Sequence, residues 1–451
     1  MRKSITKLSV YCSLFMSLAG ATQAQTADTV AEFKPGGKVW GYAFGDFAYK
    51  GSADNLNSTN SQTTAPVGRG GANQYTNMPA STSMFQFRRI YLGYNYDISQ
   101  RFSAEFLLAA EDNFVSGGLV NQSNGDILQD NKFSPYVKLA NIRWKNLWHN
   151  TDLVVGSQAT PSFAKTGRND QTAEEVWAYR SIERTVSDIR RTPSFDMGAS
   201  LQGWFDNKGN FGYDIMAGNG SSAKPESDMF KWFYGDIYAK FLDKRLLIDI
   251  YQDYERLNWG VYVAGHNGAW YHDRNMTKLF LAWNTKLLTV GFEGFQNTIL
   301  GDVKETGKDG NTYYRTSKAM DYSFYVRGRI LSNPQGNAVL SYFARYDNYD
   351  PSGNLSNVVG DANMKSYSAV TSTYEPTTKE QFVTFGLDFT PFKNVHFMPN
   401  VWMNTYNSAL GASSTDANAA GTKYTGMNSN VTGIKGTDAV YRLTFYYVYG
   451  K

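Results

Sequence analysis

Cysteine is nearly absent: the 451 residues hold one, Cys12. It lies inside an apolar run from Leu8 to Gly20, behind the basic Arg2, Lys3 and Lys7 and ahead of Thr22-Gln23-Ala24. That is the pattern of a secretory signal peptide over residues 1–24, with the mature chain expected from Gln25. No Leu-x-Gly type sequence precedes Cys12, so lipidation is not expected. Cleavage leaves no cysteine, which excludes disulfides, thiolate metal sites and cysteine nucleophiles together. Histidine is scarce as well, with four copies. After the signal, no stretch approaches the roughly 20 apolar residues a transmembrane helix needs. No linker rich in Pro, Ser or charge divides the chain, so it reads as one large unit. The formal charge of +4 falls to about +1 once Arg2, Lys3 and Lys7 depart, which removes any electrostatic case for a nucleic-acid partner. Phosphate-cradling and dinucleotide motifs are absent, and no cofactor is expected.

Aromatic residues are abundant, at 15% of the chain with 31 tyrosines, while mean hydropathy is −0.45. Polar and charged residues alternate with apolar ones in short segments. In Arg89 to Tyr96, the residues Ile90, Leu92, Tyr94 and Tyr96 share one face, and Arg89, Gly93 and Asn95 the other. Phe102, Ala104, Phe106, Leu108 and Ala110 repeat the pattern against Ser103, Glu105 and Glu111, and the short Asp97 to Arg101 joint makes the two a hairpin.

Short joints recur at Lys145 to Thr151, Asn207 to Asn210, Asp243 to Arg245, around Lys286, Asn333 to Asn337 and Phe392 to Asn394. Between them run long polar connections: Gly51 to Thr82, Val115 to Lys132, Pro161 to Phe195, Asn219 to Lys231, Leu257 to Met276, Ile299 to Met320, Tyr349 to Lys379 and Asn407 to Gly436. Eight long and seven short joints in strict alternation require 16 strands with both termini on the short-turn side. That is the plan of an all-β, antiparallel, up-and-down transmembrane barrel, with a periplasmic segment over 25–36 and the barrel over 37–451. A soluble sandwich or propeller would not place every long loop on alternate joints.

If the apolar positions meet lipid, the alternate positions line the lumen. Arg89, Arg327, Arg329, Arg345, Arg442, Lys240 and Lys278 then point inward, with Glu105, Asp214, Asp236, Asp249, Asp253, Glu293 and Asp388. A charge facing lipid near the midplane costs about 2 to 4 kcal/mol, so a wall with this many charges encloses water. Arg327, Arg329 and Arg345 on neighbouring strands form a candidate ladder for anions, or pair with Glu293, Asp347 and loop acids as bracing. Lys138 and Arg143 fall on opposite faces by simple parity, a conflict a bulge would remove.

The third long connection, residues 161–195, differs in kind. Ala173, Val176, Trp177, Ile182, Val186 and Ile189 recur at spacings of three and four, the period of a short helix. Lys165, Arg168, Arg180, Arg184, Arg190 and Arg191 are interleaved there with Asp170, Glu174, Glu175, Glu183 and Asp188. Folded into the lumen, this loop would set the width and charge of a constriction, with Arg180 and Arg184 one turn apart on a shared face.

The core of that loop, EEVWAYRSIERTVSDIRRTPSFDMG, together with KVWGYAFGDFAY at Lys38 to Tyr49, FRRIYLGYNYDIS at Phe87 to Ser99 and DAVYRLTFYYVY at Asp438 to Tyr449, resembles porins of the phosphate-selective O and P type found in Bacteroidetes. The resemblance covers nearly the whole mature chain, and Trp177 to Thr185 is its most specific part. It implies a 16-stranded outer-membrane porin, homotrimeric, with the third loop turned inward. Phosphate selectivity does not carry over, because five acids share the loop with its basic residues. The chain ends Tyr447-Val448-Tyr449-Gly450-Lys451, where many barrels end on phenylalanine.

Two other classes compete. A hydrolase would need a base, and the candidates are His149, His396, and His266 with His272, the last beside Asp273. His266 and His272 have no specific metal-binding spacing, and Lys308-Asp309-Gly310-Asn311 reads as a turn. A surface receptor or adhesin would use the Asn-, Ser- and Gly-rich loops on a barrel platform. The expectation is an outer-membrane porin, not an enzyme, passing small polar or anionic solutes by passive diffusion with a weak anion preference. Its partners are the lipid bilayer, those solutes and its own copies.

Overall fold

The computed structural model describes residues 33–53, 80–111, 135–162, 194–222, 225–226, 228–262, 269–307, 310–350, 364–369, 378–408, 423–424 and 435–450. The chain after Pro35 forms one compact unit. Its strands are β1 (Gly36–Ala53), β2 (Thr82–Asp97), β3 (Phe102–Glu111), β4 (Tyr136–Trp148), β5 (Thr151–Ala159), β6 (Phe195–Trp204), β7 (Phe211–Gly218), β8 (Trp232–Phe241), β9 (Leu246–Tyr262), β10 (Ala269–Asn284), β11 (Leu288–Gly307), β12 (Thr312–Ser332), β13 (Ala338–Asp350), β14 (Met364–Ala369), β15 (Thr378–Phe392), β16 (Val395–Ser408), β17 (Lys423–Tyr424) and β18 (Lys435–Tyr449).

Each barrel strand pairs antiparallel with the next, and β1 pairs with both β2 and β18. The sheet is therefore closed. Pairings β13 to β15 and β16 to β18 pass over β14 and β17, so the barrel has 16 strands. The seam runs from Gly41 opposite Tyr449 to Ala53 opposite Asp438. The Tyr449 ring covers Gly41, where a side chain would collide with it, and its hydroxyl donates to the Tyr91 carbonyl at 2.8 Å.

The alternation in sequence becomes alternation in burial. Along β7, Phe211 and Ile215 are exposed while Asp214 and Met216 are buried; along β8, Phe233 and Ile237 are exposed while Tyr234, Asp236, Tyr238 and Lys240 are buried. In a closed sheet the exposed apolar side chains can only form the outer face. Ile90, Phe106, Val155, Phe324, Leu387 and Leu443 belong to it. A closed barrel with an apolar outside and charged inside is an outer-membrane architecture, since every strand edge is satisfied and lipid meets only apolar side chains.

Two bulges reset parity. Between Phe44 and Gly45 the register skips Arg88, which leaves Arg88 buried beside a half-buried Arg89. Both successive arginines turn inward. A second shift, at Leu107/Leu108 against β4, leaves Val137 and Ile142 exposed on the outer face. Lys138 and Arg143 thereby share the inner face, contrary to simple parity.

Strand lengths differ from expectation on one side. The connections expected at Leu257 to Met276 and Ile299 to Met320 are largely strand, because β9, β10, β11 and β12 continue outward beyond the span a membrane requires. The outer end of β11, Val303 to Gly307, pairs with β12 on one edge and with β14 on the other. β14 in turn pairs parallel with β17. The sixth, seventh and eighth long connections thus share a small sheet above the barrel.

Candidate functional site

The lumen is the site, and its inner wall is built from the alternate residues of all 16 strands. Ser162, at the start of the third long connection, fixes how that connection begins. Its carbonyl accepts a hydrogen bond from Lys278 Nζ on β10, four to five strands round the wall from β5. Thr160 Oγ1 lies 2.7 Å from Ser162 Oγ, and both residues are buried. A chain leaving β5 reaches β10 in so few residues only by crossing the inside. The constriction residues Glu175, Arg180, Glu183, Arg184, Asp188, Arg190 and Arg191, and the short helix expected there, lie outside the described residues.

The expected wall residues fall into different surroundings. Lys278 also faces Glu293 Oε2 at 3.4 Å. Arg345 forms a two-pronged pair with Asp347, at 2.7 Å for each bond. Arg442 donates to Asp46 Oδ1 and Thr444 Oγ1, and its guanidinium lies 3.8 Å from the Trp402 ring centre. Arg89 Nε is 3.4 Å from Glu111. Arg327 has Asp388 at 3.8 Å, while Arg329 Nη1 donates to the Gly336 carbonyl. Arg327, Arg329 and Arg345 therefore do not form one ladder: Arg345 is locked to its own strand, and the other two lie at the periplasmic foot of β12.

Charge is sorted around the wall. From β7 to β12 the buried side chains include Asp214, Asp236, Asp249, Asp253, Glu255, Glu293 and Asp321 against Lys240, Arg274 and Lys278. Half a turn away, Arg88, Arg442 and Lys50 are buried near Asp46 and Asp438, with Lys138 and Arg89 on Glu111. Asp214 and Asp236 face each other directly across β7 and β8, and Asp236 Oδ1 accepts the Asp214 backbone N–H at 2.8 Å.

Arg88, Asp46, Lys50, Lys138 and Trp402 were missed by sequence reasoning. Arg88 and Lys138 need the bulges; Asp46 and Lys50 follow from the same alternation that located Arg89. The wall is also less purely polar than expected. Phe44, Tyr238, Phe280, Phe343, Met398 and Trp402 belong to one buried cluster on the inner face, and Arg88 lies over Phe44 and Trp402 at 5.6 and 4.7 Å. The signal was available in β8, where Phe233 and Ile237 alternate with Tyr234 and Tyr238, so aromatics occupy both faces.

Histidine geometry bears on catalysis. His396 Nδ1 lies 2.9 Å from Asp388 Oδ1 and 3.2 Å from Thr390 Oγ1. A nucleophile relay needs hydroxyl and carboxylate on opposite ring nitrogens, and here both meet the same one. His149 Nε2 is 3.0 Å from Asn207 Oδ1 in the periplasmic turns. His272 sits within β10, opposite Leu257, and His266 lies outside the described residues. Among the described residues no group of three or more His, Cys, Asp or Glu side chains is arranged to hold a metal.

No protein-family model and no curated protein sequence matches the chain. Solved structures do. Outer-membrane expressed OmpT of Vibrio cholerae superposes with a TM-score of 0.50 at 8% identity, over 94% of this chain and 100% of that one. OmpF of Salmonella typhi, in complex with daunomycin, gives 0.46 at 11% over 92% and 97%, and OccK1 of Pseudomonas aeruginosa gives 0.41 at 11% over 91% and 98%. The first likeness supports the shared fold of an outer-membrane barrel.

Proposed function

We propose that this chain is a porin, an aqueous channel for passive diffusion of small polar solutes and ions across the outer membrane. The observation that carries the reading is the hydrogen bond from Lys278 to the Ser162 carbonyl, which ties the start of the third long connection to the inner wall of a closed barrel lined with charge. The protein works as a homotrimer of the general type that the phosphate-selective O and P porins represent, without their selectivity. Residues 161–195 narrow the channel, and Arg180, Arg184, Arg190, Arg191, Glu175, Glu183 and Asp188 set its charge.

Selectivity is weak. Arg345, Arg442 and Lys278 each hold a carboxylate close by, and acids outnumber bases among the buried wall residues. An anion preference therefore rests on the loop arginines and on Arg327 and Arg329 at the periplasmic foot. Single-channel recording in planar bilayers under a salt gradient tests this. Large steps in groups of three, with the reversal potential moving toward cations in R180A/R184A, are expected; a silent bilayer removes the porin reading and leaves a receptor or adhesin platform in its place.

A further inference from the structure

At the periplasmic rim, the feet of β9 to β13 enclose a cavity of about 370 Å³. Its lining includes Arg245, Lys286, Arg327 and Arg329, with Thr289 and Ser341 from the inner face, and no carboxylate. That composition is the reverse of the acid-rich wall above it. The rim is held by backbone: Asn284 N–H donates to the Arg245 carbonyl at 2.8 Å, and Arg329 N–H to the Leu287 carbonyl at 2.9 Å. Thr285 Oγ1 accepts from the Leu288 N–H at 3.0 Å and closes the intervening turn. The cations are thus presented on a fixed frame.

Arg327 faces the buried Asp388 at 3.8 Å, so the positive charge presented to the cavity is chiefly that of Arg245, Lys286 and Arg329. Arg245 reaches Asp243 only at 3.6 Å, with both side chains more than half exposed, so water screens the pair. Arg329 spends one nitrogen on the neutral Gly336 carbonyl at 2.8 Å. Lys286 is exposed on its turn.

Spacing separates one class of anion from another. Arg245 precedes β9, Lys286 lies between β10 and β11, and Arg327 and Arg329 end β12. Three inter-strand steps of about 4.8 Å put the strand feet that carry the outermost cations roughly 14 Å apart along the rim, with their side chains converging on the one cavity. A single compact oxyanion touches part of that arc and fills a small part of the cavity. Guanidinium groups match planar carboxylates with paired hydrogen bonds. We infer that this pocket binds organic polycarboxylates, solutes carrying two or three carboxylate groups, at the periplasmic mouth of the lumen. The inference rests on the porin reading for the solute's route of entry, and on the pocket alone for binding.

The test is calorimetric titration of the purified mature protein in dodecyl maltoside with citrate, acetate and inorganic phosphate at equal ionic strength. Citrate is expected to saturate and to bind at least tenfold more tightly than the other two. R245Q/R329Q should weaken citrate at least tenfold, since charged hydrogen bonds of this kind are each worth about a tenfold factor or more. K286Q, on an exposed turn, should weaken it severalfold with the fold intact, and K208Q, in a different periplasmic turn, should leave it unchanged. Equal affinities for the three anions, no saturation, or indifference to both pocket variants overturns the inference. Conductance recorded on the same preparation keeps the readings apart: channels without saturable citrate binding overturn the pocket alone, and citrate binding without channels overturns the porin alone.

Discussion

Asp46 is fully buried between two arginines, 2.7 Å from Arg442 and 3.4 Å from Arg88, so the carboxylate is shared and its loss is felt by both. Breaking a buried pair by deleting one partner costs about 3 to 5 kcal/mol, whereas replacing both with neutral groups costs far less. R442M should therefore lower the urea midpoint of unfolding, and D46N, which takes the shared carboxylate from both arginines, should lower it further; a smaller loss in D46N than in R442M would mean that Asp46 does not hold the two arginines together. Asp206 offers a milder case in the turn between β6 and β7. Desolvation pushes its pKa up, but the N–H groups of Phe211 and Asn210, at 3.0 and 2.7 Å, together outweigh that and hold it below the usual carboxylate value. A lowered folded pKa means stabilisation that is complete above the unfolded value of about 3.9 and disappears as pH falls through the folded one. The unfolding midpoints of D206A and the native protein should differ at pH 7 and converge near pH 2. Arg88 marks what the sequence could not disclose at this scale, because its inward position depends on a bulge no residue in FQFRRIY announces; Arg89 follows from the period of two alone.

The 16 strands were legible as elements because long and short joints alternate without exception, and that pattern survives local errors of register. Strand ends were not. Residues 257–262 and 269–276 flank Gly265-His266-Asn267-Gly268 and read with it as one connection, yet strand pairing continues there because backbone hydrogen bonds, not lipid contact, decide whether an extended hairpin persists above a membrane. The same holds for β14, a strand of six residues within a connection that otherwise reads as loop. Its pairing with β11 places Glu305 opposite Tyr367. Expressed without residues 1–24, and so without Cys12, the E305C/Y367C protein would carry only two thiols. The disulfide should form under mild oxidation and be visible as a mobility change reversed by reductant, whereas E305C paired with a cysteine at Lys286, on the opposite rim, should stay reduced. Failure of the first pair to close would remove the small extracellular sheet. The short helix expected within residues 161–195 lies outside the described residues, and the connection begins at a turn, residues 161–162, that Lys278 ties to the inner wall.

Wall height is uneven around the whole barrel, and this bears on assembly. β5 has 9 residues and β7 has 8, against 20 in β11 and 21 in β12. At about 3.3 Å per residue and a tilt near 40°, β7 rises roughly 20 Å, short of the apolar band of about 25 Å that such barrels present to lipid. A monomer would have to thin the bilayer along β5 to β7. A neighbouring copy against that arc removes the mismatch, and three copies sharing the low walls around one axis leave only tall walls to meet lipid. Val155 and Ile215 are exposed on the low arc, and Phe324 on the tall one. Nitroxide labels at V155C and F324C, measured against lipid-dissolved oxygen in vesicles, should differ severalfold, with Val155 shielded, and the native mass should be three times that of one chain. Equal accessibility at the two positions would mean that the low wall faces lipid, and the assembly would then have to form elsewhere or not at all.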